Sequence, residues 1–437
     1  MNAVFFAIVF ISFTVAAYRE VFITQTASDL SHPMKALATG MVDAAADSVT
    51  LAIGLVGVMS MFLGLMKVAE AGGLLTIIAR LLKPLMVRLF PEVPAEHPAM
   101  GAMIMNLSAN IMGLGNAATP FGIRAMQELD KLNEHKGTAT NAMVLFLAVN
   151  TSSVTLLPTG VIALRASLGS SEPAAILPTT LFATLISTVV AILSAKFYQR
   201  YFSMGPSVAA LGKMPDQLRT IAEPPEAITA SGASDSGDAY PGWISLLAFA
   251  VILALIPLTI FCGSAIAPWI IPGLMVGLLG FGMWRRIRVY EVFVEGAKDG
   301  FQVAIRIIPY LVAILVAVGM FRASGAMELL IEPLGALTQI FGLPPEALPM
   351  ALLRPLSGSG AYGILASILT NPETGPDTYV GLLVSTFQGS TETTFYVLAV
   401  YFGAVGIRRI RHALAAGITG DIAGIVAAVS ICLILFD

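Results

Sequence analysis

Long apolar runs separated by short polar segments make up most of the chain. A transmembrane helix needs about 20 predominantly apolar residues, and runs near that length recur along the 437 residues. The pattern predicts an all-α polytopic membrane protein. The predicted spans are Ala3–Tyr18, Thr50–Met66, Thr140–Leu164, Ile176–Phe197, Trp243–Phe261, Ala267–Trp284, Val303–Phe321, Gly381–Gly403 and His412–Phe436.

Two of these spans are interrupted at their centres by polar residues. Gly381–Gly403 contains the sequence QGSTETT, and Thr140–Leu164 contains the sequence NTSS. A carboxylate near the middle of a bilayer is energetically expensive, so Glu392 is by default a functional-site hypothesis. Both segments are therefore predicted to be interrupted transmembrane helices.

Each interrupted span is preceded by an apolar segment that asparagine, glycine or proline breaks. The segments are Met100–Gly122 and Met350–Leu369. Irregular backbone at membrane depth is tolerated where protein buries it or where it lines a cavity. The pattern predicts a re-entrant helical hairpin at each place, and short interfacial helices at Ala69–Phe90 and Glu328–Phe341 precede them.

The same parts recur in the same order in residues 1–200 and 241–437, which predicts two repeats. Residues 201–240 between them are rich in Ser, Pro, Gly and Asp and read as a flexible linker. Paired hydrophobic segments interrupted by Gly or Pro are the best pointer in a sequence to a transporter binding site.

Charge predicts that the two repeats have inverted topology. Lys and Arg accumulate on the cytoplasmic side of a membrane. Ala69–Phe90 is basic whereas Glu328–Phe341 is acidic, and the loop after the first hairpin is basic whereas Asn371–Thr378 is acidic. Both pairs thus fall on opposite sides. The second half opens with two spans, within Trp243–Trp284, where the first half opens with one, so the second half starts from the opposite side of the membrane. The linker is predicted to lie on the cytoplasmic side of a bacterial inner membrane.

Composition supports a membrane protein and argues against several other classes. The chain is 57% hydrophobic and 12% charged, against about 25% charged residues in soluble domains, and its mean hydropathy is +0.84. A net charge of −3 gives no sign of nucleic-acid binding. The four histidines show no metal-binding spacing, and no phosphate-binding loop of the GxxxxGKS type is present. No catalytic constellation is evident, so we expect no enzyme and no cofactor.

Glu392 and Arg354 are the charged candidates for a site. Glu392 could bind substrate, a proton or a cation, or it could pair with Arg354 or Arg306 to hold the hairpin. Arg354 could hold an anionic substrate or only satisfy Glu392 or a carbonyl. Asp421, in the last span, is assigned to helix packing.

Amides and hydroxyls at the hairpins and the interruptions complete the candidate set. They could bind a solute or Na⁺ through their oxygens, or form interhelical hydrogen bonds that contribute about 0.6 kcal/mol each on average. The predicted substrate- or ion-binding residues are Asn110, Asn116, Asn150, Thr151, Ser152, Ser153, Arg354, Ser357, Ser359, Gln388, Ser390, Thr391 and Glu392.

The motifs NLSANIMGLGNAATPFG, NAMVLFLAVNTSSVTLLPTG, RPLSGSGAYG and STFQGSTETTFYVLAVYFGAVGIRR resemble a known family. Residues 40–197 resemble spore maturation protein A and residues 240–437 resemble spore maturation protein B, both with nucleoside-recognition Gate domains. Gate domains are similar in turn to repeats of concentrative nucleoside transporters. That resemblance implies that Gln388, Thr391 and Glu392 contact a nucleoside-like solute.

Two functions remain open from the sequence. The first is a secondary transporter of the inner membrane, moving a small polar or anionic solute by alternating access, with coupling to Na⁺ or H⁺ left open. The second is a membrane scaffold or assembly factor of the spore maturation type that does not transport. A small-molecule solute and the lipid bilayer are the expected partners, and a homodimer through Trp243–Trp284 is a further hypothesis.

Overall fold

The computed structural model describes residues 2–23, 32–113, 115–202 and 240–436. These residues are mostly helical, and they contain no β-strand, only one isolated bridge between Thr138 and Arg409. The predicted linker, apart from its ends, lies outside the described residues. The side chains of Asn116 and Arg306 also lie outside the description.

The first half contains eight helices among its described residues. Helix α3 begins at a left-handed glycine, Gly73, and α6 is capped by the Thr140 hydroxyl, which accepts a hydrogen bond from the Met143 N–H. The helices are α1 (Asn2–Tyr18), α2 (Pro33–Ala71), α3 (Leu74–Leu89), α4 (Pro98–Ile111), α5 (Gly115–Lys131), α6 (Asn141–Thr151), α7 (Thr159–Ser167) and α8 (Leu177–Tyr198).

The second half repeats the order of the helices from α3 onward. As in the first half, its interfacial helix begins at a left-handed glycine, here Gly325. The helices are α9 (Gly242–Trp284), α10 (Val289–Ala323), α11 (Ala326–Thr338), α12 (Leu348–Leu353), α13 (Gly358–Thr370), α14 (Tyr379–Ser390), α15 (Thr394–Gly403) and α16 (Ala413–Phe436).

The prediction of two spans within Trp243–Trp284 is wrong, because α9 is one continuous helix of 43 residues. Residues 262–266 carry no charge and one glycine, and although proline disfavours a helix interior, the flanking Pro257 and Pro268 do not end the helix. At 1.5 Å per residue the helix extends about 64 Å, roughly twice the thickness of a bilayer core. The pair of spans therefore does not supply the predicted change of side between the two halves.

Four described helical stretches are long and apolar enough to cross a membrane, by length and composition. Helices α2 and α16 are two of them, and the others are Phe5–Phe22 and Pro173–Tyr198. Together with the shorter apolar helices, such as α6, they identify a polytopic membrane protein.

Two helix–turn–helix units stand where the sequence predicts hairpins. In the first, α4 and α5 pack against each other and are joined by a turn at Gly113, whose φ of +75° favours glycine. In the second, α12 ends near Arg354, and the Ser357 hydroxyl caps α13 by accepting a hydrogen bond from the Gly360 N–H at 3.0 Å.

Both predicted interruptions are present as breaks between helices. The first break, residues 152–158, separates α6 from α7 and ends at Pro158, which has no backbone N–H to donate. The second break, residues 391–393, separates α14 from α15, and Thr391 there is extended. Helix α16 packs along α8 and also contacts α6, α14 and α15, so both breaks lie beside one helix.

Candidate functional site

Arg354 connects the second hairpin to the second break. Its side chain is 4% exposed, and its guanidinium donates to the Thr391 carbonyl and, at 3.0 Å, to the Thr393 hydroxyl. The Phe395 N–H also donates to the carbonyl of Pro355, at 3.2 Å. The hairpin turn thereby satisfies backbone groups that the break leaves without helical partners.

Glu392, in the second break, lies next to Arg354 and is partly exposed to solvent. Its side chain is 49% exposed, and its Oε2 is 3.8 Å from Nη2 of Arg354. An ion pair this long, with one half-exposed member, is weak. The carboxylate is therefore close to a buried cation and still accessible to a ligand.

The first hairpin meets the first break through backbone and amide contacts. The Leu156 N–H donates to the Ile111 carbonyl at 3.0 Å, and Nδ2 of Asn110 donates to Oδ1 of Asn150 at 3.0 Å. Nδ2 of Asn150 donates in turn to the Phe146 carbonyl. Each hairpin turn is thus bonded to the break of its own half.

One backbone hydrogen bond joins the two breaks. The Glu392 N–H donates to the Thr151 carbonyl at 2.8 Å. Helix α8 supports the first break, because the Thr188 hydroxyl donates to the Ser152 carbonyl at 2.6 Å. The predicted residues Asn110, Asn150, Thr151, Arg354, Thr391 and Glu392 therefore belong to one connected network.

Other predicted residues have local roles or stand apart from this network. The hydroxyls of Ser152 and Ser390 donate to carbonyls of their own helices. Ser153 is buried and Ser359 is exposed. Gln388 is half-buried, and its carbonyl oxygen is buried with no hydrogen-bond partner among the described residues.

Sequence reasoning missed three polar residues of the site. Nδ2 of Asn106 donates to the Ala118 carbonyl at 2.7 Å and to the Tyr401 hydroxyl at 3.2 Å, and Tyr401 lies 3.5 Å from Oδ1 of Asn150. Asp421 accepts a hydrogen bond from the Thr394 hydroxyl at 2.7 Å. Only Asp421 carried a usable signal, which was its charge within an apolar run.

A buried arginine, Arg165, attaches α7 to the loop before α14. Arg165, in α7, is 0% exposed. Its guanidinium donates to the carbonyls of Glu172 and Pro173, each at 3.2 Å, and to the carbonyl of Pro376. Its Nη2 lies 3.2 Å from Oδ1 of Asp377. The end of α7 is thus attached to the loop before α14.

The Asp377 carboxylate is held ionised by this contact. Burial by itself would raise the pKa of Asp377, but hydrogen bonds from Ser170 and Ser171 together with the charge of Arg165 outweigh burial, so the pKa is lowered.

A second arginine, Arg411, makes a similar contact between the two halves. After α15, Nη1 of Arg411 donates to the Ala139 carbonyl at 3.1 Å and to Oδ1 of Asn141 at 2.9 Å. The loop between α15 and α16 is thereby attached to the start of α6. In both contacts an arginine of one half bonds to the segment at the start of a helix of the other half, α14 for Arg165 and α6 for Arg411.

A cleft of about 710 Å³ opens elsewhere, between α2, α10 and the ends of α7 and α13. It is lined by Asp43, Asp47 and Arg322 among others. No predicted site residue lines it, so the chemistry of the two breaks does not depend on this cleft. Among the described residues, no group of three or more His, Cys, Asp or Glu side chains could hold a metal ion.

Comparison with known proteins identifies the family. The Gate model, described as nucleoside recognition, matches residues 52–168 and 304–408, which together make up about half of the chain. The chain belongs to the Gate family. The two matches contain both breaks and the turns that contact them, so the Gate regions are where the network of Glu392, Thr151 and Arg354 is found.

Two curated relatives come from Bacillus subtilis (strain 168). Spore maturation protein B is 45% identical over 166 residues, which is 38% of this chain and 92% of that protein. Spore maturation protein A is 47% identical over 154 residues, which is 35% of this chain and 79% of that protein. The resemblance predicted from the motifs is confirmed.

One solved structure, of a double variant of CNTnw in an outward-facing state, covers 98% of this chain. This chain covers 99% of that structure, at 13% identity and a TM-score of 0.46.

Proposed function

We propose that this Gate protein is a secondary transporter of a bacterial inner membrane that moves a small polar solute by alternating access. The observation that carries the proposal is the meeting of the two breaks. There the Glu392 N–H bonds to the Thr151 carbonyl, while the Glu392 carboxylate stays half-exposed beside Arg354. A carboxylate at such a junction of apolar helices is expensive unless it serves a ligand.

The charges at the junction favour a neutral or cationic solute over an anionic one. Arg354 is buried and already donates to Thr391 and Thr393, and the Glu392 carboxylate beside it repels an anion. Glu392 and the unpartnered carbonyl oxygen of Gln388 are acceptors. A nucleoside-like solute, which carries hydroxyl and amino donors, suits these acceptors.

The internal arrangement supports two repeats of inverted topology with re-entrant hairpins. Each hairpin turn bonds to the break of its own half. Arg165 and Arg411 each bond to a residue of the other half. In this proposal residues 1–200 and 241–437 are the two Gate repeats, and the linker 201–240 is cytoplasmic.

A binding screen tests the proposal directly. The purified full chain is heated with nucleosides, amino acids or dicarboxylates, with and without Na⁺. We expect a neutral or cationic solute to raise the melting temperature, and Glu392→Gln to abolish that rise. Glu373→Gln is the matched control, because Glu373 is exposed in the loop before α14 and should retain the full response. A solute effect that survives in Glu392→Gln would refute the site.

A membrane scaffold or assembly factor is the second candidate. The observation that favours it is that the two curated relatives are spore maturation proteins. In that case no solute would stabilise the chain. Glu392→Gln, Asn150→Ala and Ser359→Ala would all retain full activity in a phenotype assay, which would exclude the transport site.

A further inference from the structure

Asp421 is a buried carboxylic acid inside a helix that is apolar enough to cross the membrane. It lies in α16 and is 2% exposed. An ionisable group at this depth is expensive to keep charged, and such groups commonly belong to ion or proton paths. A role in helix packing does not account for an acid, because a small neutral residue would pack as well.

Only one of the two carboxylate oxygens is satisfied. Oδ2 accepts the Thr394 hydroxyl at 2.7 Å, whereas Oδ1 is buried and has no hydrogen-bond partner in the described part of the chain. An ionised carboxylate can accept about four hydrogen bonds, so this one is poorly solvated. Thr394 is the first residue of α15, so the acid is bonded directly to the edge of the second break.

Arg354 is the cation that Asp421 shares with Glu392. Both carboxylates act on Arg354 electrostatically, and the guanidinium is 3.8 Å from Glu392. With all three groups ionised, the cluster carries one negative charge in excess. One additional positive charge neutralises it when the junction is closed to water.

The space beside Asp421 suits a proton rather than a metal ion. Where α16 passes the second break, a Cβ added to Gly417 would lie 2.8 Å from Cγ2 of Thr394 and 3.6 Å from the Thr151 hydroxyl. A metal ion needs several oxygen ligands around a cavity, whereas the contact at Gly417 leaves no room for even one added methyl group. A proton occupies no additional volume.

Other ionisable groups on the packed elements are few. Among the described residues, α6 carries none, and α8 carries the exposed Lys196 and also Tyr198, whose hydroxyl is 3.1 Å from that of Thr419. Helix α16 itself also carries the buried Cys432, eleven positions after the acid. Helix α15 carries Tyr396 and Tyr401, α14 carries Tyr379 at its start, and His412 lies nine positions before the acid. Asp421 is the one buried carboxylic acid among these groups, and a carboxylic acid is a stronger acid than a tyrosine or a thiol, so Asp421 is the group among them that exchanges a proton.

We propose that Asp421 is the proton-binding site of this protein, taking up a proton on its unpartnered oxygen when Arg354 is engaged by Glu392. When a solute occupies Glu392, Arg354 turns its charge toward Asp421 and the proton is released. The coupling to a solute rests on the proposed transport function, whereas proton binding does not.

Infrared difference spectra of the full chain in lipid bilayers test proton binding without any solute. We expect a protonated-carboxyl band that disappears as the pH is raised and shifts when the aspartates are isotope-labelled. Asp421→Asn should remove the band, and Glu392→Gln, which leaves the Arg354 charge to act on Asp421, should make the band disappear at a lower pH. If the unmodified chain has no such band, or if Asp421→Asn retains it, the proposal is wrong.

A second variant serves if Asp421→Asn does not fold. Thr394→Val removes the hydroxyl that stabilises the ionised acid, so the band should persist to higher pH and change in frequency. If Thr394→Val changes neither quantity, the band does not come from Asp421 and the proposal is wrong. Failure of the solute screen together with a titrating aspartate band would refute transport but retain the proton site.

Discussion

Replacing Arg165 by Met should destabilise the protein more than any change to its acidic partner. Met keeps an unbranched apolar stem, is shorter than Arg and cannot donate hydrogen bonds. The substitution leaves three carbonyl acceptors, those of Glu172, Pro173 and Pro376, and the carboxylate of Asp377 without their buried donor.

The magnitude follows from the exposure of the groups left behind. The three carbonyls belong to half-buried residues, so each loses about 1 kcal/mol, the lower end for an unsatisfied acceptor. Asp377 is 41% exposed, so water solvates it, and the ion pair contributes at most about 1 kcal/mol. We expect Arg165→Met to lower the free energy of unfolding by about 4 kcal/mol, and Asp377→Asn to lower it by about 1 kcal/mol.

Denaturant titration of the purified chain in mixed detergent micelles measures both values. Arg165→Lys is a further control, because an ammonium group cannot reproduce the planar fork of the guanidinium, so it should recover only part of the loss. If Arg165→Met unfolds no more easily than Asp377→Asn, the carbonyl contacts do not stabilise the loop and the reasoning fails.

Three further predictions follow from the same contacts. Gly417→Ala should destabilise the chain by about 1 kcal/mol because its Cβ would collide with the second break, whereas Gly277→Ala, with nothing within 4 Å, should be neutral or stabilising in thermal unfolding. Gly113→Ala should cost at least about 1 kcal/mol, because φ is +75° and its Cβ would lie against the Leu157 carbonyl; an unchanged midpoint would contradict this. The folded pKa of Asp377 lies below its ordinary value of 3.8, so its contribution is present above the unfolded pKa and is lost as the pH falls through the folded pKa. Acid titration below about pH 4 should therefore weaken the unmodified chain more than Asp377→Asn, and equal acid sensitivity would contradict the pairing.

Sequence predicted the breaks well because their causes are local. Glycine, proline and clustered hydroxyls destabilise a helix wherever they stand, so the interruptions near Thr151 and Thr391 could be located without tertiary information. The prediction of a turn within α9 is wrong because the local signals there are ambiguous. Pro257, Gly263 and Pro268 are compatible with a turn and with one long helix.

The contacts between the halves could not be predicted from sequence. Arg165 stands at the end of a short helix, and its partner Asp377 is more than two hundred positions away. Tyr401 looks like any aromatic residue of an apolar helix, yet its hydroxyl meets Asn106. Such pairings depend on how the two halves of the chain pack against each other, and the hydrophobic periodicity within either half does not specify that packing.

The contacts of Arg165 and Arg411 are together stronger than those between the two breaks, and this difference explains how Glu392 can exchange its present contacts for a ligand. Arg165 and Arg411 each hold their segments through several hydrogen bonds, which contribute about 1 kcal/mol apiece and add up at each arginine. The centre is joined by one backbone bond between Glu392 and Thr151 and by a long ion pair to Arg354, each contributing about 1 kcal/mol or less. A small solute that hydrogen-bonds to Glu392 therefore competes with weak interactions only. The contacts at the two breaks can change when a ligand binds, while the contacts of Arg165 and Arg411 hold the surrounding helices in place.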